Sequence, residues 1–188
     1  MTCNKDQIIK EIKRKLKETA PDLTVEQIER RNKILNSDNP NFSGYGHKMS
    51  DLERLAREIQ NGYDCEYEDA LVIFQALIKS NVHEEKFMAV LFLNRFKRYF
   101  NDKIVDIFQK SFAQYCDTWA LCDSSIIKVL GPYLAKNGKE KLKVTTINKW
   151  SNSENLWIRR ASLVILLKTI MIKKDFNEDY LYDLLEKL

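Results

Sequence analysis

The stretch that decides the fold reads LWIRRASLVILLKTIMI and covers residues 156–172. Its apolar side chains follow the 3.6-residue period of an α-helix, and only Arg159, Arg160 and Lys168 carry charge. Lys168 interrupts the apolar run before it is long enough to cross a bilayer. The stretch therefore predicts a largely buried helix of a globular protein.

The same period recurs along most of the chain, and no window alternates apolar and polar residues as a half-buried strand would. Residues 40–47 hold two glycines and predict a loop. Ser50 is then the expected N-cap of the next helix, with Glu53 as its capping-box partner. Further helices are predicted at residues 67–80, 84–100, 104–116, 119–136, 140–150, 156–172 and 179–188.

Composition supports an all-helical protein. Only five glycines and three prolines occur in 188 residues, which favours long helices joined by short turns over many strands. Apolar residues make up 44% and charged residues 31%, so disordered and membrane classes are excluded. Many helices of ten to seventeen residues, with no heptads, favour stacked helical pairs over a four-helix bundle. The expected fold is an all-α, HEAT-like or ARM-type helical repeat solenoid, in one domain of residues 1–188, with a concave basic face.

Positive charge is concentrated in two places, although the net charge is only +4. Residues 136–160 hold seven basic side chains against two acids, and the first helix carries Lys10, Lys13, Arg14, Lys15 and Lys17. Each cluster alone is most simply a solvated helix face. Together, in a repeat protein, they can form the rims of an anion-binding groove.

The four cysteines show no C-x-x-C pair, and no histidine stands at ligand spacing, so reduced thiols are expected and neither a metal site nor a disulfide framework. The amino-terminal segment is charged and amphipathic and lacks an apolar signal region. The expectation is a cytoplasmic protein, associated with the nucleoid if prokaryotic.

Three segments carry residues suited to chemistry. Trp119 and Asp123 stand four apart, so on a helix an indole and a carboxylate share one face and can receive a cation. Arg159 and Arg160 begin an apolar helix, where a phosphate would satisfy a guanidinium. The third segment is the loop that contains Tyr45 and Lys48. Each segment also has a purely structural interpretation: core packing for Trp119 and Asp123, an internal salt bridge for the arginines, and an ordinary loop for the third.

Taken together and in order, these segments resemble the AlkD-type family of DNA alkylation repair glycosylases, which fold as HEAT-like repeats. The loop segment resembles the family's early glycine-containing stretch, and the helix that begins HEEKFMAVL resembles its E-x-x-x-x-A-L-x-x-L helix. Trp119 and Asp123 fall on its W-D-x-V-D motif. The segment NLWIRRAS falls on its N-x-W-L-x-R-A-A motif. The resemblance covers most of the chain, from about residue 42 to residue 188.

The resemblance implies a glycosylase for positively charged N3- and N7-alkylated purines in duplex DNA, working as a monomer without cofactor, metal or membrane. Trp119 would lie along the deoxyribose, Asp123 would stabilise the cationic sugar and orient water, and Arg160 would contact the backbone near the lesion. The other expected DNA-binding residues are Trp157, Arg159, Lys149, Tyr45 and Lys48.

Two departures from the family pattern weaken the enzyme expectation more than the fold expectation. Ala120 replaces the aspartate that follows the motif tryptophan. The sequence also stops before the family's I-G-W-x-L-R segment, so we expect a domain without the family's C-terminal helices. Two alternatives remain open, a non-catalytic HEAT-repeat protein that binds damaged or branched DNA and a protein-interaction scaffold.

Overall fold

A computed structural model describes residues 3–174 and 177–186, and every regular element in this part of the chain is helical. The one β-type contact there is an isolated bridge between Ser43 and Val82. The α-helices are α1 (Lys5–Glu18), α2 (Val25–Leu35), α3 (Met49–Gly62), α4 (Tyr67–Leu77), α5 (His83–Asn94), α6 (Lys103–Tyr115), α7 (Trp119–Ser125), α8 (Gly131–Leu134), α9 (Glu140–Ser151), α10 (Leu156–Lys173) and α11 (Glu178–Leu185). The all-α, helical-repeat prediction is confirmed.

The helices belong to two compact units, and each is built around one central helix. The first comprises residues 1–99 and 117–121, and α5 is its centre, packed against α1, α3 and α4. Every α5 residue before Asn94 is buried, including the charged run of Glu84, Glu85 and Lys86. The second unit comprises residues 100–116 and 122–188, and α10 packs there against α6, α8 and α9. The expectation of one domain over residues 1–188 remains a prediction.

A π-helical turn, Ile126–Leu130, joins α7 to α8, so the predicted helix 119–136 is continuous but not uniform. The Gly131 amide donates to the Ile126 carbonyl, five residues back, and the next residue, Pro132, has no amide to offer. A Cβ on Gly131 would lie 2.7 Å from the Lys168 side chain. Glycine therefore permits the close approach of α10 to this turn.

Three local predictions need correction or limitation. Ser50 does not cap α3, because Lys48 is the N-cap residue and makes no side-chain capping hydrogen bond. The predicted helix 84–100 ends at Asn94, and hydrogen-bonded turns follow. The end of the predicted helix 179–188 lies partly outside the described residues, since the description stops at residue 186.

The expectation of reduced thiols is wrong for one pair of cysteines. Cys3 and Cys65 form a disulfide across a sequence separation of 62, while Cys116 and Cys122 are free and buried. Cys3 lies just before α1 and Cys65 just before α4, and these two helices pack together. Their packing brings together two residues that are distant in sequence.

Among the described helices, none combines the length and the apolarity needed to cross a membrane.

Candidate functional site

An ion pair between Asp123 and Arg160 is the central feature of the second unit. Arg160 Nε donates to Asp123 Oδ1 and Nη2 donates to Oδ2, both at 2.7 Å, which is the bidentate geometry of a guanidinium on a carboxylate. The Asp123 side chain is 22% exposed and the Arg160 side chain is 41% exposed, so a ligand can reach both. Hydrogen bonding to Asp123 raises the pKa of Arg160 above its ordinary value, and the arginine remains charged.

The beginning of α10 holds this arginine in place. Asn155 is the N-cap residue, and its side-chain oxygen accepts a hydrogen bond from the Ile158 amide at 3.1 Å. Arg159 points elsewhere than Arg160, since its Nη1 donates to the carbonyls of Ser153 and Glu154 at 2.8 and 2.9 Å. The two adjacent arginines therefore differ in task, one pairing with a carboxylate and the other tying down the turn before the helix.

Of the expected DNA-binding residues, Trp157 is buried and Lys149 is engaged with a neighbouring helix. Trp157 is only 8% exposed, so its ring offers little surface to a ligand. Lys149 is exposed, and its ammonium donates to Gln109 Oε1 on α6 at 3.0 Å. The DNA contacts expected of both residues remain predictions.

Trp119, the first residue of α7, is held in the first unit with its ring partly open to solvent. Its indole N–H donates to the Ile34 carbonyl at the end of α2, at 2.9 Å, and 40% of the residue is exposed. An aromatic ring that is anchored by its N–H and partly exposed to solvent has surface with which to stack on a sugar or base, or to accept a cation.

A buried polar cluster lies immediately before Trp119 in the chain. The Lys86 ammonium donates to Asp117 Oδ2 at 2.6 Å, and these side chains are only 3% and 6% exposed. The Asn39 side-chain amide donates to the same Asp117 oxygen at 3.1 Å. His83 begins α5 nearby, and burial lowers its pKa to about 4, so its ring is neutral near pH 7.

The loop with Tyr45 and Lys48 is fastened to α5 from the inside. Glu84, which is 3% exposed, accepts hydrogen bonds from the Tyr45 and Gly46 amides at 2.8 and 2.6 Å. Gly46 has a φ of +93°, which favours glycine, and Arg31 donates to the Gly44 carbonyl at 2.8 Å. Tyr45 is half-buried, so burial raises the pKa of its hydroxyl, and Lys48 is exposed.

The basic cluster on α1 is largely neutralised within the first unit. Lys13 pairs with the buried Glu85 at 3.0 Å, Arg14 pairs with Glu18, and Lys15 pairs with Glu58. For these three cations, an internal ion pair describes the structure better than an open anion-binding rim. A polyanion would have to compete with carboxylates that are already in place.

Within residues 3–174 and 177–186, one group of side chains has the spacing of metal ligands. Cys3, Cys65 and Asp69 bring three potential ligand atoms within 4.8 Å of one another. Both sulfurs are committed to the disulfide, so the thiolates that a transition metal would need are not available there.

The family of the chain follows from its sequence as a whole. The sequence model of the family described as DNA alkylation repair enzyme matches residues 12–188. The chain belongs to the DNA alkylation repair enzyme family. The match includes Trp119, Asp123 and Arg160, so all three lie within the part of the chain that defines membership. A comparison with curated proteins found no match.

As a member of the DNA alkylation repair family, the protein is an enzyme of DNA alkylation repair. The sequence analysis predicted Trp119, Asp123 and Arg160 as site residues and did not include the buried residues that hold the neighbouring segments in place. The predicted site residues did not include four buried or partly buried side chains, namely Asn39, Glu84, Lys86 and Asp117. The one signal that could have revealed them is the charged triplet Glu84–Glu85–Lys86 at the start of an otherwise apolar helix, because charges there need buried partners.

Proposed function

We propose that this protein is a DNA glycosylase that hydrolyses the N-glycosidic bond of positively charged N3- or N7-alkylated purines in duplex DNA. The observation that carries the proposal is the partly exposed Asp123 carboxylate, held in a fixed orientation by Arg160. Trp119, four residues earlier on α7, supplies a partly exposed ring on the same helix.

The chemistry asks little of the protein beyond electrostatic stabilisation. An N3- or N7-alkylated purine already carries a positive charge, so its bond to the sugar is weakened. When the C1′–N bond breaks, its electron pair goes to the base, which leaves as a neutral molecule without needing an acid. The positive charge then lies on the sugar as an oxocarbenium ion. A fixed carboxylate stabilises that charge, and a polar site that is already organised does so without reorientation in the transition state.

Asp123 would act on the sugar and on the attacking water. Its negative charge stabilises the positive charge of the oxocarbenium ion, and a carboxylate oxygen accepts a hydrogen bond from the water that adds to C1′. As the new C–O bond forms, the water passes a proton to the Asp123 carboxylate, which releases it to solvent, and an abasic sugar with a hydroxyl at C1′ remains. Arg160 keeps the carboxylate oriented, because both of its oxygens accept from the guanidinium.

Arg160 also has capacity for the DNA backbone. A guanidinium carries five N–H donors, and the ion pair uses Nε and Nη2, so further N–H groups remain for a phosphate oxygen. One arginine can therefore fix the carboxylate and the strand beside the lesion together. Lys48, Tyr45, Arg159, Lys149 and Trp157 complete the proposed set of DNA-binding residues, and Lys48 is the most openly placed of those in the loop.

The test is the identity of the product. The protein is incubated with methylated duplex DNA, and the small molecules released are identified by mass spectrometry. A uracil-containing duplex serves as the comparison, since uracil is neutral while attached to the sugar and would have to leave as an anion. We expect free 7-methylguanine or 3-methyladenine, matched by new abasic sites, and no uracil. Binding of methylated DNA without base release would instead support the non-catalytic DNA-binding alternative.

A further inference from the structure

Lys86 and Asp117 form an ion pair in the interior of the first unit, where most side chains are apolar. Both side chains are almost wholly removed from water, at 3% and 6% exposure. Removing two charges from water is costly, and apolar residues of similar size often stabilise a fold as well or better. A buried ion pair is therefore weak support for a role in stability alone and suggests a role in geometry.

The geometry that the pair controls is the start of α7. Asp117 stands two residues before Trp119, and between them Thr118 caps the helix by accepting a hydrogen bond from the Leu121 amide at 3.2 Å. The Asp117 carboxylate is held by Lys86 from α5 and by Asn39 from the loop after α2. Its backbone carbonyl accepts from the Asp38 amide at 3.4 Å.

The loop that contacts Asp117 directly follows α2, and α2 also accepts the hydrogen bond from the Trp119 indole. Trp119 donates to Ile34, the penultimate residue of α2, and Asn39 follows Ile34 by five residues. The segment 34–39 thus contacts Trp119 through Ile34 at one end and Asp117 through Asn39 at the other. Lys86, on α5, holds the same Asp117 carboxylate. Trp119 and the residue two positions before it are therefore each held by contacts with other parts of the first unit.

We propose that Lys86 and Asn39, acting through Asp117, are positioning residues for the Trp119 ring. This inference rests on the proposed function for its catalytic consequence, since the ring is proposed to lie along the deoxyribose. Without the pair, the first turn of α7 loses its anchor and the indole samples other orientations. Misplacing a contact group by about 1 Å can lower a rate by about a hundredfold while leaving remote binding contacts intact.

The central variant is the double substitution Lys86→Met with Asp117→Asn, which removes both charges of the pair together. Lys86→Met and Asp117→Asn alone each leave one buried charge, so the double variant keeps the test available where the single variants fail to fold. The matched control is Gln60→Leu. It removes a buried hydrogen bond to the Phe92 carbonyl, also within the first unit and also at α5, without touching any contact of Trp119.

Two readouts separate positioning from general destabilisation. The first is the indole N–H resonance of Trp119, assigned by comparison with Trp119→Phe, together with its hydrogen-exchange rate. The second is single-turnover excision of 7-methylguanine beside the affinity for the same duplex. In the double variant we expect a shifted, at least tenfold faster-exchanging indole resonance. We also expect excision to fall at least tenfold, with affinity within about twofold of wild type. Gln60→Leu should change neither readout.

An unchanged Trp119 resonance in the folded double variant would overturn the inference, as would equal loss of excision in the Gln60→Leu control. Failure of the proposed function is a separate result, namely no excision by the wild-type protein. The indole resonance would still decide whether Lys86 and Asp117 position Trp119.

Discussion

Asp123→Asn is the substitution whose effect follows most directly from the geometry. Asparagine is nearly isosteric with aspartate, so packing is retained while the negative charge is lost. The carboxylate is partly exposed, which corresponds to an effective dielectric constant of about 20. At a separation of about 5 Å from a unit positive charge, it then contributes about 3 kcal/mol. We therefore expect the excision rate to fall by about a hundredfold or more.

The same substitution should cost little stability and little affinity. It removes one of the two hydrogen bonds between Asp123 and Arg160, because the asparagine NH2 group cannot accept, and it takes the charge from the other. For a partly exposed pair this costs about 1 kcal/mol of unfolding free energy. Duplex affinity should stay constant or rise slightly, because a negative charge has been removed next to an arginine that is proposed to bind phosphate.

The assay measures single-turnover release of 7-methylguanine beside thermal unfolding, with Asp102→Asn as the matched control. Asp102 also lies in the second unit, accepts a hydrogen bond from Tyr133 at 2.6 Å and pairs with Lys139 at 2.5 Å. The control therefore loses a paired carboxylate from the same unit without touching Asp123. Excision by Asp123→Asn at the wild-type rate would refute the electrostatic argument, and equal losses in both variants would show that the effect is not specific to Asp123.

Three further predictions concern DNA binding and pH. Arg160→Ala should weaken duplex binding more than Arg159→Ala, measured by fluorescence anisotropy, because Arg159 is engaged with the Ser153 and Glu154 carbonyls; a larger effect from Arg159 would contradict this assignment. Duplex affinity should fall with salt at a slope of about −0.9 per phosphate contact, and salt-independent binding would argue against any backbone contact. Burial lowers the pKa of His83 in the folded protein to about 4, so the folded protein keeps this ring neutral between pH 6.5 and 4, while the unfolded chain protonates it. Stability should therefore fall between pH 6.5 and 4, and His83→Phe should remove up to roughly 3 kcal/mol of that fall, at about 1.4 kcal/mol per pKa unit. Identical pH profiles for both proteins, measured by denaturant unfolding, would contradict this attribution.

The helical architecture could be predicted because it rests on local signals. Apolar periodicity and the scarcity of glycine and proline identify most of the helices, including the helix that begins at Leu156. The π-turn before Gly131 could not be predicted, since the pattern of residues 119–136 is that of one continuous helix, and the close approach of Lys168 to Gly131 is a tertiary contact. The N-cap of α3 was misplaced because a capping-box pattern is only one of several ways in which a helix can begin.

The site was predictable in part, and the reason lies in the range of the contacts. Trp119 and Asp123 are four residues apart, so their shared helix is a local expectation. The Asp123–Arg160 pair joins residues 37 positions apart, and the Lys86–Asp117 pair joins residues 31 apart. Such partners are chosen by tertiary packing, which a single sequence does not reveal. The disulfide between Cys3 and Cys65 was missed for the same reason.

The most direct test of the central claim is the rate of base loss from a defined duplex that contains a single 7-methylguanine. The protein is present in excess, and free base is followed over time beside the same duplex without protein, because 7-methylguanine is also lost spontaneously. The account predicts first-order release at least a hundredfold faster than the spontaneous rate, with abasic sites appearing in step. Release at the spontaneous rate, from DNA shown to be fully bound, would contradict it.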